Sequence, residues 1–489
     1  MRDKYVEIIK EYIREKPEYR AALDELKACV LTIGATEEEF DEAIRQSPDL
    51  QETSKIMSMY ENQETGRKRG FVELLKYVKL NKKYAFATVF IVALTAILTQ
   101  LFILNNNTET PAIAQVSPSP NKSIVKIPIV YANSAPINPE EIFSIRSAKN
   151  IQLTVSGKPK KEVLGFFPYW MLPEQDKIDL STITSISLFG IEMDGNGNIV
   201  TTNKDPDGWS MWKDPSLDTL IRRAKNQGLN VYLTLKCFNN SNIESISKSD
   251  VAQKNLIANA LYLVNSKELD GINIDFEYVG SVSDVVRDGF TRLIVNFNSE
   301  LKRQIPDAIL TVDTYLTSGS EKQLFNLPIL AKSVDAFVIM GYDMHTPSGV
   351  PGAISAMGGD TNIIGYVQNY LEQVGSSKLI LAIPYYGYDW PKDTEVLSAD
   401  NVKILPYAVI AEQSKNLQLS WDDTAQTPYF TYTDGGQSRI VYFDNVRSLG
   451  IKYDFINSKN LKGVGIWTLG YDGQNQDLEK LLIDKFINQ

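Results

Sequence analysis

In the stretch LDGINIDFEY, from Leu269 to Tyr278, alternation along an extended chain puts Ile272, Ile274 and Phe276 on one side. Gly271, Asn273, Asp275 and Glu277 fall on the other. An amide and two carboxylates on one inward face are desolvated three times over, a cost that packing alone does not repay. Asp275 and Glu277, two positions apart, are close enough to perturb each other and to keep one proton between them. Such a pair suits general acid–base chemistry. The alternative is a buried polar network that only braces the fold.

The rest of the composition narrows the chemistry. With 489 residues and a net charge of -10, the chain has no basic footprint for nucleic acid. Its one histidine, His345, removes histidine-clustered zinc sites and leaves a single candidate base for any Ser-His-Asp triad. Carboxylate chemistry is favoured, and it needs neither cofactor nor metal. Cys29 and Cys237 lie on opposite sides of a long apolar run, so no disulfide is expected between them.

The elements that would hold the carboxylates begin at Glu162. From there, eight short apolar runs alternate with amphipathic helical spacing: VLGFFPYW, TSISLFGIE, NVYLTLKCF, LDGINIDFEY, AILTVDTYL, DAFVIMGYD, LILAIPYYGYDW and GVGIWTLGYD. The pattern predicts an α/β fold, a closed (β/α)8 TIM barrel over 162–489, with a small α+β insertion at about 391–447 between strands seven and eight. At the C-terminal end of a barrel strand, Asp275 and Glu277 would stand where that fold places catalytic groups.

Ahead of the barrel, Tyr84 to Leu104 is an uncharged apolar run of about 21 residues, the length of a membrane-crossing helix. Arg67, Lys68, Arg69, Lys76, Lys79, Lys82 and Lys83 precede it, and no positive charge follows until Lys122. The positive-inside rule then predicts a single-pass membrane protein with a cytoplasmic N-terminus and an exported barrel. Residues 1–70 read as a small cytoplasmic helical module, with Tyr5, Ile8, Ile9 and Tyr12 at helical spacing and a capping-box pattern at Thr36 and Glu39. Residues 105–161, rich in Asn, Ser and Pro, read as a linker.

The segment from Asp270 to Glu277 resembles the signature of glycoside hydrolase family 18 at every position. The resemblance extends to MGYD (Met340 to Asp343), to IPYYGYDW and to GIWTLG, in the family's order. It implies a retaining, substrate-assisted hydrolase of β-1,4 bonds in N-acetylglucosamine-containing glycans, chitin-like or peptidoglycan, and hence an N-acetylated polysaccharide or oligosaccharide as substrate. In that scheme Glu277 is the acid and then the base. Asp275 holds the acetamido N–H, and Tyr342 braces the acetamido oxygen. Asn273, Asp343, Tyr386, Trp467, Tyr169 and Trp170 would contact sugar, Trp467 as the stacking floor. Asn273 stands where many chitinases of the family carry Asp. A lectin-like barrel that binds glycan without cleaving it, or a sensor that reports binding across the membrane, are the competing functions.

Overall fold

The computed structural model describes residues 138–145, 157–201, 207–320, 322–392 and 399–488. The first seven apolar runs form strands β1 (Glu162–Pro168), β2 (Ser185–Glu192), β3 (Asn230–Cys237), β4 (Gly271–Phe276), β5 (Ile309–Tyr315), β6 (Ala336–Met340) and β7 (Leu379–Pro384). The chain then builds β8 (Tyr386–Pro391), β9 (Lys403–Pro406), β10 (Ser420–Asp422), β11 (Thr427–Asp434) and β12 (Gln437–Tyr442) before β13 (Gly463–Trp467). Strands β1 to β7 and β13 pair in parallel, and β13 closes the circle between β7 and β1. The eight runs therefore make the eight staves of a (β/α)8 barrel.

Burial on both faces is what a parallel barrel asks of its strands. All six residues of β4 are buried. Its outward residues meet the helical layer, where Phe276 packs on Phe290 of the helix Asp284–Gln304 with ring centroids 5.9 Å apart. That helix opens on Ser283, whose side chain accepts from the Val286 N–H, and carries Asp284 in its first turn and Lys302 and Arg303 in its last. Cap and charges both agree with the helix dipole. Cutting Phe276 back to Ala would cost about 3–5 kcal/mol through the cavity it leaves. At the other end of the strand, Gly271 is obligatory: a Cβ there would lie 2.3 Å from the Ile309 carbonyl oxygen.

The insertion is a sheet in the order β10-β11-β12-β8-β9, all antiparallel, between the seventh and eighth barrel strands. It starts at Tyr386, directly after β7, because the run LILAIPYYGYDW breaks at Tyr385 into two strands belonging to different sheets. Periodicity cannot mark that break, since both halves are apolar and fully buried. The insertion has its own small core of Ile410, Phe430, Val441 and Phe443. A buried ion pair, Arg439 Nε to Asp389 Oδ1 at 2.8 Å, locks β12 to β8, and the Tyr432 hydroxyl donates to the other Asp389 oxygen. Removing either partner would strand a buried charge, typically a loss of about 3–5 kcal/mol.

Within the stretch read as linker, Pro139–Ser144 is a helix with Asn138 as N-cap, and Ile142 and Phe143 are buried. Two apolar residues in six gave no period to read. The predicted transmembrane run 84–104, the module 1–70 and most of 105–161 lie outside the described residues. Among the described residues no helix is long and apolar enough to cross a membrane.

Candidate active site

The register of the strands builds the site. β3 and β4 align Thr234 with Asn273 and Lys236 with Asp275, and β4 and β5 align Asn273 with Thr311. Alternation sends Asn273 and Asp275 into the barrel, and Glu277 follows at the rim, its backbone N–H donating to the Cys237 carbonyl at 3.0 Å. That bond carries the β3–β4 pairing one residue past the strand and fixes where the Glu277 side chain emerges.

Asn273 is fully buried and its amide is held at both ends. The Thr311 hydroxyl donates to Asn273 Oδ1 at 2.6 Å, and Asn273 Nδ2 donates to Asp313 Oδ2 at 2.7 Å. Below this pair, Ser187 and Thr234 share a hydroxyl–hydroxyl bond of 2.7 Å. Asp275 and Asp313 are 5% and 4% exposed, and among the described residues no donor reaches Oδ1 of either.

Three acids in so dry a place cannot all be ionised. Burial is the main reason that Asp275 is pushed up to about 7; Lys236 opposes the shift, as does a hydrogen bond with Asp313. Asp313 is raised well above the ordinary range by burial and then by the neighbouring Asp275 charge. Burial also raises Glu277, with repulsion from Asp275 and Asp343 adding to it and a hydrogen bond with Tyr315 opposing it. A glutamic acid whose pKa is raised by burial and by its acidic neighbours, beside a second carboxyl that can ionise, is the division of labour that proton donation to a leaving group requires.

Lys236 stands on the same level as Asp275. Its Nζ lies 5.7 Å from the Tyr169 ring, 5.4 Å from Phe189 and 5.6 Å from Phe238. Ring faces stabilise an ammonium without occupying its N–H donors. Burial lowers its pKa, while Glu192, Asp275 and Asp207 hold it up.

The other predicted residues ring the same mouth. Tyr169 and Trp170 follow β1, with centroids 4.8 Å apart and edge-on. Trp467 ends β13, 5% exposed, its ring 4.7 Å from Phe189 and 6.4 Å from Trp170. Tyr342 and Asp343 form the turn after β6, where Asp343 takes the left-handed φ of 56°. For a non-glycine residue that conformation is strained and is found chiefly at functional turns. The Tyr386 and Tyr388 hydroxyls both donate to Asp343 Oδ1, the second at 2.7 Å. Tyr386 is thus 1% exposed and turned onto Asp343, with its ring 6.2 Å from Tyr342. His345 turns into its own loop, Nδ1 at 2.9 Å from the Val350 carbonyl oxygen.

Sequence reasoning missed Asp313, Tyr315 and Lys236. The signal was present: in AILTVDTYL, alternation puts Thr311, Asp313 and Tyr315 on one face, and in NVYLTLKCF it puts Thr234 and Lys236 on one face. A lone charge in an apolar barrel strand has the same meaning there as in β4.

Rat di-N-acetylchitobiase is 28% identical over 254 residues, 45% of this chain and 69% of that protein. The cortical fragment-lytic enzyme of Bacillus subtilis is 29% identical over 218 residues, 44% of this chain and 49% of that one. This chain thus spans only about half the length of the second. Among solved structures, the spore cortex-lytic enzyme SleL of Bacillus megaterium superposes with a TM-score of 0.55 at 20% identity, covering 71% of this chain and 81% of that one. At that identity the likeness speaks for the fold. The family description "Glycosyl hydrolases family 18" matches residues 162–472, from the first residue of β1 to just beyond β13, so the chain belongs to that family and is a glycosidase.

Proposed function

We propose that the barrel hydrolyses β-1,4 bonds in N-acetylglucosamine-containing glycans, chitin-like or peptidoglycan, with retention and with the substrate's own acetamido group as nucleophile. The observation that carries the proposal is geometric: β4 sends the buried Asp275 into the barrel, and Glu277 follows on the same side at the rim, one residue past the strand. Glu277 gives its proton to the glycosidic oxygen. The acetamido oxygen attacks the anomeric carbon, and Asp275 takes the acetamido N–H in a hydrogen bond as positive charge develops there. Tyr342 steadies the acetamido oxygen. Glu277, now a carboxylate, draws a proton from the water that opens the cyclic intermediate.

Around this centre, Asp343 sets a polar edge of the sugar site, while Asn273, fully buried, does not meet sugar and instead orients Asp313. Trp467, Tyr169 and Trp170 supply aromatic wall and floor, and the buried Tyr386 acts from behind by holding Asp343. The name of one relative, di-N-acetylchitobiase, supports an N-acetylated substrate. The apolar run 84–104 and the lysine asymmetry around it support a bilayer anchor with the barrel outside the cell.

The test is mass spectrometry of products from chitin oligosaccharides and from purified peptidoglycan. Cleavage on the reducing side of an N-acetylated sugar is the expected result. Binding without any cleavage of either glycan would make the protein a lectin instead.

A further inference from the structure

We propose that Asp313, on the neighbouring strand, is the proton partner of Asp275: the two carboxyls share one proton at rest, and Asp313 keeps it when Asp275 turns to substrate. The inference rests on the reading above for the role of Asp275 toward the acetamido group.

Three observations place the pair. The β4–β5 register aligns Asn273 with Thr311 and Ile274 with Val312, so the next inward residues in line are Asp275 and Asp313. Each has an Oδ1 that is buried and that no protein donor reaches among the described residues. Two acceptor-only oxygens side by side are satisfied when one carries a proton and donates to the other. Finally, the amide of Asn273 is oriented by the Thr311 hydroxyl so that its Nδ2, a donor only, meets Asp313 Oδ2. This occupies one Asp313 oxygen and aims the other.

The choice of Asn at 273 follows from the same arrangement. With a carboxyl at 273 and Asp313 in place, three acids would crowd a dry space. With Asn there, the proton partner of Asp275 sits across the sheet rather than along the strand. The remaining charged and titratable neighbours are Lys236 from β3, Glu277 just past β4, Tyr315 from β5 and Asp343 beyond β6. Lys236 is the one cation that acts on Asp275 among them, and it favours the ionised form.

The step is balanced within the pair. At rest one O–H bond exists, shared in a hydrogen bond between the two Oδ1 atoms. When the acetamido N–H arrives, the proton resides on Asp313 Oδ1, the hydrogen bond to Asp275 breaks, and Asp275 leaves as a full carboxylate. No proton enters or leaves, and the proton on Glu277 is untouched.

The experiment uses the full-length protein in detergent. Asp313→Asn should lower kcat on an N-acetylated oligosaccharide by about tenfold to a hundredfold, with KM changing less, and should move the acid limb of the pH–rate profile. The exchange Asn273→Asp with Asp313→Asn returns the partner to the same strand and should restore most of the lost turnover. Wild-type kcat and pH profile in the single variant would overturn the proposal, as would a folded double variant that is no more active than the single.

A second measurement does not depend on turnover. Isotope-edited infrared spectra at about pH 6, some two units above a free aspartic acid, should show a protonated aspartyl carboxyl that persists in Asp472→Asn, Asp472 being another buried aspartic acid pushed up to about 7. Its absence overturns the shared proton. If no N-acetylated glycan is cleaved, the functional reading fails, while the infrared band still decides on the pair.

Discussion

The Tyr388 hydroxyl, on the first strand of the insertion, donates to Asp343 Oδ1 at 2.7 Å. Asp343 sits in the turn after β6 with a φ of 56°, so a strained barrel residue is held by the inserted sheet, whose β8 side chains Tyr386, Tyr388 and Trp390 join the main core. Tyr386 donates to the same oxygen. The insertion thus fixes one edge of the sugar site. Tyr388→Phe removes one donor from a charged acceptor, worth about 1.5–3 kcal/mol. We expect kcat/KM to fall by about tenfold or more while the melting temperature drops by only a few degrees. Unchanged kcat/KM would show that the clamp has no bearing on the site.

Glu277→Gln keeps the shape and the rim position of the side chain but removes its proton. Turnover should fall by at least about a hundredfold, the lower range for loss of general acid help, with oligosaccharide binding retained. Calorimetric titration beside a product assay separates the two effects. Wild-type turnover in this variant would take Glu277 out of the chemistry.

Asp275 gives a stability prediction with a definite sign. Its pKa is pushed from the ordinary 3.8 to about 7 in the folded state, mainly by burial. Below about pH 4 both folded and unfolded forms are protonated and the group contributes no slope. Between about 4 and 7 the unfolded chain has released the proton and the folded chain still holds it, so stability falls as pH rises. Above about 7 the penalty is complete, on the order of a few kcal/mol. Asp275→Asn removes this slope. Its melting temperature should exceed that of wild type at pH 8, and the advantage should shrink toward pH 4. An equal difference at both values would mean that the variant acts through packing and not through ionisation.

How much of this could be read in advance depended on period and length. The eight barrel runs were legible because a parallel strand buried on both faces is an unbroken apolar run between helical segments. Asp275 and Glu277 were legible because polar residues recur at every second position of an otherwise apolar strand. Asp313 and Lys236 obey the same rule but stand as single charges, and what gives them meaning is the register with β4, which only pairing reveals. The start of the insertion at Tyr386 was hidden for the opposite reason. β7 and β8 are both buried throughout, so no change of pattern marks where the chain leaves the barrel.

The apolar run 84–104 sets a topological prediction, because about 20 uncharged residues suffice to cross a bilayer and the preceding lysines and arginines favour the cytoplasmic side. Protease added to intact cells should remove the barrel and spare a fragment that contains residues 1–70. Protection of both parts would sink the anchor reading.

The last prediction concerns the nucleophile. A retaining hydrolase with two carboxylates needs them about 5–5.5 Å apart across the scissile bond. Asp275 and Glu277 alternate on one strand, with backbones roughly 6.5 Å apart, so spacing alone leaves direct attack by Asp275 open. The surroundings of Asp275 argue the other way. Asp275 is 5% exposed, beside Asp313, and burial holds it partly protonated near neutrality. A nucleophile in that state would have to give up its proton and leave its partner before each attack, whereas a group that accepts an acetamido N–H gains its charge only as that hydrogen bond forms. The acetamido group is then part of the catalyst. An oligosaccharide deacetylated at the sugar to be cleaved should bind yet react at least about a hundredfold more slowly, and a thiazoline analogue of the cyclic intermediate should inhibit competitively. NMR of fresh product from the N-acetylated substrate should show the β-anomer first. Rapid cleavage of the deacetylated substrate, or an α-anomer as first product, would return the nucleophile to the protein or to water.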